Sequence, residues 1–304
     1  MQEILNWGIE FIKSVQAVVP NWMMNFTKVF THLGGQVFYL ALIPIFFWCF
    51  DEKKGFRIAW TVLFSGSINE ILKNALKIPR PYILDSSVGG HATEPSYSTP
   101  SGHSQGAAVF WGSVFTAFGK KMKIFFRVLC IVLPTFLIGF SRIVLGVHYP
   151  TDVLFGWFLG FAIVFVVVVL WDNIAIKFNK IHRAIKIPIV FAISYILNML
   201  NMTDVSMSAA LFGLSTGYIL LKEFGGFDAK EGSLAQKILR AILGLPIVIV
   251  FYFGLKIIFP NKESELYQLF RLIRYVIIGF LGSFVIPKLF IALKIAKSIE
   301  EKNV

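Results

Sequence analysis

The chain has 304 residues, of which 56% are hydrophobic and 15% are charged, and its mean hydropathy is +0.72. A soluble domain carries about 25% charged residues, so this composition excludes an ordinary soluble enzyme and favours a protein that crosses a membrane several times. The formal net charge of +12 is interpreted as membrane topology and attraction to lipid headgroups, and no nucleic-acid partner is expected.

Residues 1–19 place polar and apolar side chains on opposite sides of a helix, and Pro20 follows directly. The pattern predicts an amphipathic helix that lies in the membrane interface. Residues 21–33 repeat the pattern more weakly before a Gly-Gly pair interrupts it, so residues 1–33 are grouped as interfacial N-terminal helices. A basic start, an apolar core and a small-residue cleavage site are missing here, and no secretory signal peptide is expected.

Apolar segments near the bilayer-spanning length of about 20 residues follow this region and predict an all-α, polytopic helical membrane protein. About nine such spans are expected, at residues 34–50, 56–77, 103–119, 124–145, 151–172, 185–200, 205–222, 236–259 and 267–294. Most of the 29 Lys and Arg residues follow the odd-numbered spans, which makes that side cytoplasmic. The N-terminus is then outside the cytoplasm and the C-terminus inside, in a plasma or inner membrane.

Three polar clusters fall on the opposite, extracytoplasmic side, which has few basic residues. They are Lys73–Pro81 at the end of the second span, Pro100–His103 at the start of the third, and Ser141–Asp152 between the fourth and the fifth. Alternating spans bring all three clusters to one membrane face, which a random scatter of polar residues would not do.

The residue types in these clusters are those that phosphoryl transfer needs. Three cations, Lys73, Arg80 and Arg142, can neutralise the oxygens of a five-coordinate phosphorus. Ser101 and the amide of Gly102 begin a helix, where free N–H groups favour an anion.

His148 and Asp152 are four residues apart and share a helix face if the helix includes both. The carboxylate can then hold one imidazole nitrogen and leave the other free to attack phosphorus, while His103 protonates the leaving oxygen. No group of side chains with metal-ligand spacing accompanies them, so a metal-independent mechanism without a cofactor is expected.

The pattern K-x6-RP, PSGH and SR-x5-H-x3-D resembles the type 2 phosphatidic acid phosphatase superfamily. That family includes lipid phosphate phosphatases, glucose-6-phosphatases, sphingosine-1-phosphate phosphatases and vanadium haloperoxidases. The resemblance covers roughly residues 55–172. The matching positions are Lys73, Arg80, Pro81, Pro100, Ser101, Gly102, His103, Ser141, Arg142, His148 and Asp152.

The resemblance implies that His148 is the nucleophile that forms a phosphohistidine, that Asp152 orients it, and that His103 protonates the leaving group. It implies that the phosphate is bound by Lys73, Arg80, Ser101, Gly102 and Arg142. Ser141 is interpreted as a helper or a structural cap. The family's six-helix core would occupy residues 34–200, with about three further transmembrane helices in residues 201–304.

The function expected from this resemblance is hydrolysis of a lipid phosphomonoester or pyrophosphate of the phosphatidate, sphingoid or polyprenyl type. The partners expected are the lipid substrate and the bilayer, without an obligate protein partner. One alternative is a phosphatase of the glucose-6-phosphatase type, whose substrate is a soluble sugar phosphate. Another is a phosphate-lipid binder or flippase that does not cleave its ligand, and haloperoxidase chemistry ranks last.

Several further polar residues leave two interpretations open. Glu70 is expected to pair with Lys73 or Arg80 as a supporting residue, and Asn69 to hydrogen-bond a neighbouring helix. The 82–100 loop, with His91 and Glu94, is either a lid or a solvated loop. Arg271 and Arg274 lie near the outer end of the last predicted span. They either meet an anionic headgroup or, as we favour, snorkel to the interface.

Overall fold

The computed structural model describes residues 2–92, 94–201 and 203–300. Its helices are α1 Gln2–Val18, α2 Asn21–His32, α3 Gln36–Ile45, α4 Glu52–Leu76, α5 Pro81–Leu84, α6 Gly102–Phe118, α7 Ile124–Val144, α8 Pro150–Lys180, α9 Arg183–Leu200, α10 Ser206–Glu223, α11 Leu234–Ile258, α12 Tyr267–Phe280 and α13 Ile286–Ala292. A π-helical turn extends α3 over Phe46–Phe50, another joins α12 to α13 over Leu281–Val285, and a 3-10 turn follows α6. Lys302, which the charge count includes, lies outside the described residues.

The all-helical class is confirmed for the described part of the chain. Four of its helical segments are long and apolar enough to cross a membrane: Ile124–Val144, Pro150–Lys180, Leu234–Ile258 and Tyr267–Ala292. A fifth span is present if α2 and the segment Val37–Phe50, which bend by 50°, are counted together. The other predicted spans fall on shorter or more polar helices, so nine spans remain a prediction.

The chain forms two compact units, each built from two stretches of sequence. The first, called the N-terminal unit, comprises residues 1–39 and 68–172, and the second, called the C-terminal unit, comprises residues 40–67 and 173–304. All three polar motifs belong to the N-terminal unit. The predicted three-part division at residues 33 and 200 follows other boundaries and stays a prediction.

In the N-terminal unit, α1 is a single amphipathic helix that ends before Pro20, as its pattern predicts. Its buried side includes Ile9 and Ile12, which belong to one apolar cluster with Tyr149 and Val153 at the start of α8. The Gln16 amide donates to the backbone oxygen of Gly89 in the 82–100 loop and to that of Val144 at the end of α7, at 3.0 Å each. The first helix therefore holds together the loops that surround the polar motifs.

Close packing of α8 against α6 aligns the second and third motifs. A Cβ atom at Gly156 would lie 2.8 Å from the Ser101 carbonyl oxygen, and one at Gly160 would lie 2.8 Å from that of Gln105. Two small residues four apart let helix backbones approach in this way. Because of this approach, the start of α6 lies against the first turns of α8.

In the C-terminal unit, α10 and α12 pack backbone to backbone. A Cβ atom at Gly213 would lie 2.1 Å from the Val276 carbonyl oxygen, and one at Gly279 would lie 2.4 Å from that of Ala210. Any larger side chain at these glycines would force the two helices apart. Arg240 of α11 is fully buried in this unit.

Candidate active site

The site is centred on His148, in the tight connection between α7 and α8. Gly146 makes this connection possible, because its φ of +69° is disfavoured for other residues and a Cβ atom there would lie 2.6 Å from the Gly89 carbonyl oxygen. Pro150 then begins α8, where a residue without an N–H is well tolerated. The turn places His148 one helical turn before Asp152.

The carboxylate of Asp152 is buried, and both of its oxygens accept hydrogen bonds. Its Oδ2 lies 3.2 Å from His148 Nδ1 and accepts from the Tyr149 amide at 3.0 Å and the Ser98 hydroxyl at 2.5 Å. Its Oδ1 accepts from the Thr99 hydroxyl. A carboxylate beside Nδ1 fixes the tautomer that carries its proton there, which leaves a lone pair on Nε2.

The free nitrogen of His148 faces a guanidinium. Nη1 of Arg80 lies 3.2 Å from His148 Nε2 and also donates to the Val147 carbonyl oxygen at 2.9 Å. Burial, together with the nearby charges of Arg80, Lys73 and Arg142, lowers the pKa of His148 well below its usual range. The imidazole is therefore neutral at pH 7, which is the state that a nucleophile needs.

Arg80 and Lys73 converge on the same short segment of the 82–100 loop. Arg80 Nε donates to the Ser96 carbonyl oxygen at 2.7 Å, and Lys73 Nζ donates to that of Tyr97 at 2.6 Å. Both residues are buried. Two cations from the first motif are thus held near His148 of the third.

Arg142 is the third buried cation, near the end of α7. Its Nη1 donates to the Thr31 hydroxyl at 2.5 Å, and its Nη2 forms an ion pair with Glu94. Its Nε has no hydrogen-bond partner among the described residues. This guanidinium is anchored on one side by α2 and keeps one donor available.

The PSGH motif forms the start of α6. Ser101 is the N-cap residue, and its hydroxyl accepts from the Ser104 hydroxyl at 2.8 Å, while its amide donates to the Asp152 carbonyl oxygen at 3.1 Å. Gly102 opens the helix. His103 packs against Gly34, where a Cβ atom would lie 3.2 Å from the ring, so the Gly-Gly break after α2 makes room for this imidazole.

The two supporting candidates lie at the edge of this cluster. The Ser141 hydroxyl donates to the Ile138 carbonyl oxygen of its own helix at 2.6 Å, as a local structural contact would. Glu70 is half-buried one turn before Lys73, and its charge acts on Lys73 and Arg80. The predicted pairing of Glu70 with Lys73 or Arg80 stays a prediction.

The prediction for Asn69 is confirmed, because the Asn69 side chain donates to Gln105 Oε1 on α6 at 2.8 Å.

The sequence did not predict the residues that hold Arg142 and Asp152 in place. It did not single out Thr31, which holds Arg142, or the hydroxyls of Ser98 and Thr99, which hold Asp152. Ser98 and Thr99 directly precede PSGH, so that adjacency was an available signal. Thr31 had none, because it lies 111 residues from Arg142 in the chain.

Comparison with known proteins identifies the family of this chain. Residues 54–176 match the PAP2 superfamily model, and residues 205–298 match "PAP2 superfamily phosphatase, transmembrane extension". Phosphatidylglycerophosphatase B of Bacillus subtilis (strain 168) is 33% identical over 165 residues, which are 51% of this chain and 78% of that protein. This chain belongs to the PAP2 superfamily. The predicted family is therefore confirmed, and the protein is a multi-pass membrane protein.

Two further relatives are similar over different shares of their length. Lipid A 1-phosphatase of Rhizobium etli is 35% identical over 107 residues, covering 33% of this chain and 43% of that protein. The crystal structure of a transmembrane PAP2-type phosphatidylglycerolphosphate phosphatase from Bacillus subtilis matches with a TM-score of 0.50 and 26% identity. It covers 57% of this chain and 89% of that one. The homologues of this PAP2 chain are membrane phosphatases of lipid phosphates.

Proposed function

We propose that this PAP2 protein hydrolyses a phosphate ester of a membrane lipid through a phosphohistidine on His148. The observation that carries the proposal is the polarised imidazole: Asp152 holds Nδ1, and Nε2 lies 3.2 Å from a buried guanidinium. A neutral imidazole oriented by a carboxylate beside a phosphate-binding cation is a nucleophile ready to attack phosphorus.

The first step transfers the phosphoryl group to the enzyme. Nε2 of His148 forms a bond to phosphorus, the bond from phosphorus to the lipid oxygen breaks, and His103 donates a proton to that oxygen. The Nδ1 proton of His148 stays hydrogen-bonded to Asp152, whose negative charge stabilises the cationic phosphoimidazole.

The second step releases phosphate. A water molecule attacks phosphorus from the side that the lipid oxygen has left, the P–N bond breaks, and His103 takes the proton of the water. Both histidines then return to their starting states, so no cofactor is consumed. Microscopic reversibility assigns the acid and base roles to the same residue.

The three cations stabilise the phosphoryl oxygens in both steps. Lys73 and Arg80 hold backbone oxygens of the 82–100 loop, and phosphate competes with these oxygens for their donors. Arg142 offers its unpaired Nε and shares its Nη2 between Glu94 and the phosphate. We infer that the 82–100 loop covers the site as a lid, because it supplies these contacts.

The substrate class follows from the relatives and from the membrane setting. Phosphatidylglycerophosphate is the first candidate, since a relative that this chain covers over 78% of its length is a phosphatidylglycerophosphatase. Phosphatidate, sphingoid phosphates and polyprenyl pyrophosphate follow. We further propose nine spans, a six-helix core over residues 34–200, an extracytoplasmic active site and a cytoplasmic C-terminus.

The deciding experiment measures phosphate release by the full chain in detergent from a panel of phosphorylated substrates. The panel contains phosphatidylglycerophosphate, phosphatidate, sphingosine phosphate, undecaprenyl pyrophosphate and glucose 6-phosphate. We expect the lipids to be cleaved faster than the sugar phosphate. Preference for glucose 6-phosphate would replace the lipid proposal with the sugar-phosphatase alternative, and no release from any substrate would favour a binder or flippase.

The His148→Ala variant tests the nucleophile. We expect it to lose at least about 10³-fold in turnover and to trap no labelled phosphoenzyme, with much of the phosphate binding retained. His182→Ala, which removes an exposed histidine from the other unit, is the matched control and should keep both. Undiminished phosphate release from His148→Ala would rule out the assigned nucleophile.

A further inference from the structure

A second cationic cluster lies in the C-terminal unit, in the region that matches the family's transmembrane extension. Arg271 and Arg274 occupy the first two turns of α12, three residues apart, so they point to neighbouring parts of one helix face. Arg274 is only 9% exposed. That burial argues against the snorkelling interpretation, in which the guanidinium would reach into water.

Arg271 has its own carboxylate. Its Nη2 lies 2.8 Å from Asp204 Oδ2, in the connection between α9 and α10. The other oxygen of Asp204 accepts from the amide and the hydroxyl of Ser206 at the start of α10. Both oxygens of Asp204 thus have partners, and Asp204 forms its ion pair with Arg271.

Arg274 has no such partner. Its Nε is buried without a hydrogen bond, and none of the described residues forms an ion pair with it. The contact that its guanidinium makes is with the ring of Tyr275, whose centroid lies 5.0 Å away. A ring quadrupole satisfies a cation only in part, so an anion beside this guanidinium would stabilise it further.

The position of Arg274 along the candidate span also favours pairing with an anion. Arg274 lies seven residues after Tyr267, where the candidate span begins, which corresponds to roughly 10 Å along the helix. Leu266 and Leu269, near the start of this segment, are each 53% exposed and present an apolar surface to lipid. A positive charge inside a membrane span is unfavourable unless it is paired, so an anionic group that reaches Arg274 would stabilise it.

We propose that Arg274, assisted by Arg271, binds a phosphate-type oxyanion in the C-terminal unit. The proposal does not depend on the phosphatase mechanism, because none of these residues belongs to the site around His148. Two sources supply this chemistry, the headgroup of an anionic phospholipid and free inorganic phosphate. The cluster carries two positive charges and one negative charge, so one phosphate neutralises it.

The test compares Arg274→Gln with the unchanged full-length chain in neutral detergent. Native mass spectrometry measures phosphatidylglycerol adducts against phosphatidylcholine adducts, and thermal unfolding is followed with and without each lipid. A third arm adds inorganic phosphate instead of lipid. Lys262→Gln is the matched control, because it removes an exposed cation from the turn before α12.

If the proposal is correct, Arg274→Gln reduces phosphatidylglycerol adducts at least about fivefold, and the lipid no longer raises its unfolding temperature. Lys262→Gln behaves as the unchanged chain does. A shift with inorganic phosphate alone, lost in Arg274→Gln, identifies free phosphate as the ligand and also supports the site. Equal adducts and equal shifts in both chains overturn the proposal.

Stability without any ligand separates a binding role from a structural one. An unpaired buried charge is unfavourable, so Arg274→Gln should unfold at the same or a higher temperature than the unchanged chain in neutral detergent. A purely structural arginine predicts the reverse, a lower unfolding temperature with every lipid. Arg274→Lys keeps the charge and serves as the second variant, which should retain part of the phosphatidylglycerol preference if Arg274→Gln does not fold.

Discussion

Arg80 in the N-terminal unit and Arg240 in the C-terminal unit are both held by hydrogen bonds to backbone carbonyl oxygens, but their other neighbours differ. Each is at most 1% exposed, and each donates to several backbone carbonyl oxygens. Arg240 donates to four of them, at 2.6–3.1 Å, from Trp48, Ala229, Glu231 and Ile295. Only Arg80 also contacts an imidazole.

The difference shows that a buried arginine is not in itself a functional signal. Arg240 ties together chain segments that are far apart in sequence, and its four carbonyl partners satisfy it. Arg80 uses the same kind of contacts to stay in place while one nitrogen remains beside His148. What distinguishes the catalytic candidate is the neighbour, His148, and the carboxylate behind it.

The largest effect on the catalytic side of this comparison is expected from Asp152→Asn. It removes the charge that fixes the His148 tautomer, and we expect kcat to fall on the order of 10³-fold with the fold retained. Steady-state phosphate release and thermal unfolding measure the two effects. Asp172→Asn, on an exposed position of the same helix, is the control. A loss below tenfold would contradict the orienting role.

Arg240→Met should act on stability instead. Removing a guanidinium that satisfies four carbonyl oxygens costs about 3 kcal/mol in the free energy of unfolding, because the oxygens stay buried without donors. Denaturation in detergent measures this, and Lys256→Met, an exposed cation on α11, is the control. The fraction that folds should keep its specific activity, whereas Arg80→Met should lose activity in its folded fraction. Equal specific activity in the folded fractions of Arg240→Met and Arg80→Met would contradict the distinction between a structural and a catalytic arginine.

The low pKa of His148 predicts the pH dependence. Because the folded-state pKa of His148 lies well below 6.5, its imidazole stays neutral as the pH falls through that value. At pH 5.5 an unperturbed histidine would already have lost about tenfold in its neutral form. We expect kcat/KM, corrected for the ionisation of the substrate, to stay near its neutral-pH value at pH 5.5. An acidic limb centred at 6.5 or above would contradict the assigned environment.

The smallest effect is expected from Thr31→Val, which removes the hydroxyl that anchors Arg142. The loss of orientation should cost about 1 kcal/mol, or roughly fivefold in kcat/KM, mainly through KM. Thr27→Val is a closely matched control, because Thr27 lies one turn earlier on α2, is also buried, and donates to the backbone of its own helix at 2.8 Å. Identical kinetics for both valine variants would remove Thr31 from the site.

Sequence alone determined the class, the family and the candidate residues of the three motifs. The reason is physical: membrane helices need long apolar runs, and phosphoryl transfer needs a small set of residue types at short spacings. His148 and Asp152 are four apart, so their contact follows from one helical turn. The contact between Asn69 and α6 was foreseen because a buried amide in a helix needs a partner on its neighbour.

Only the tertiary structure decided which distant residues contact the side chains of the motifs. The Arg142–Thr31 and Arg142–Glu94 contacts join segments separated by 111 and 48 residues, and no local pattern in the chain encodes them. The same holds for Arg271 and Arg274, which are equivalent in sequence. Asp204 pairs with one of them and leaves the other buried without an acceptor, because the connection between α9 and α10 reaches only the first turns of α12.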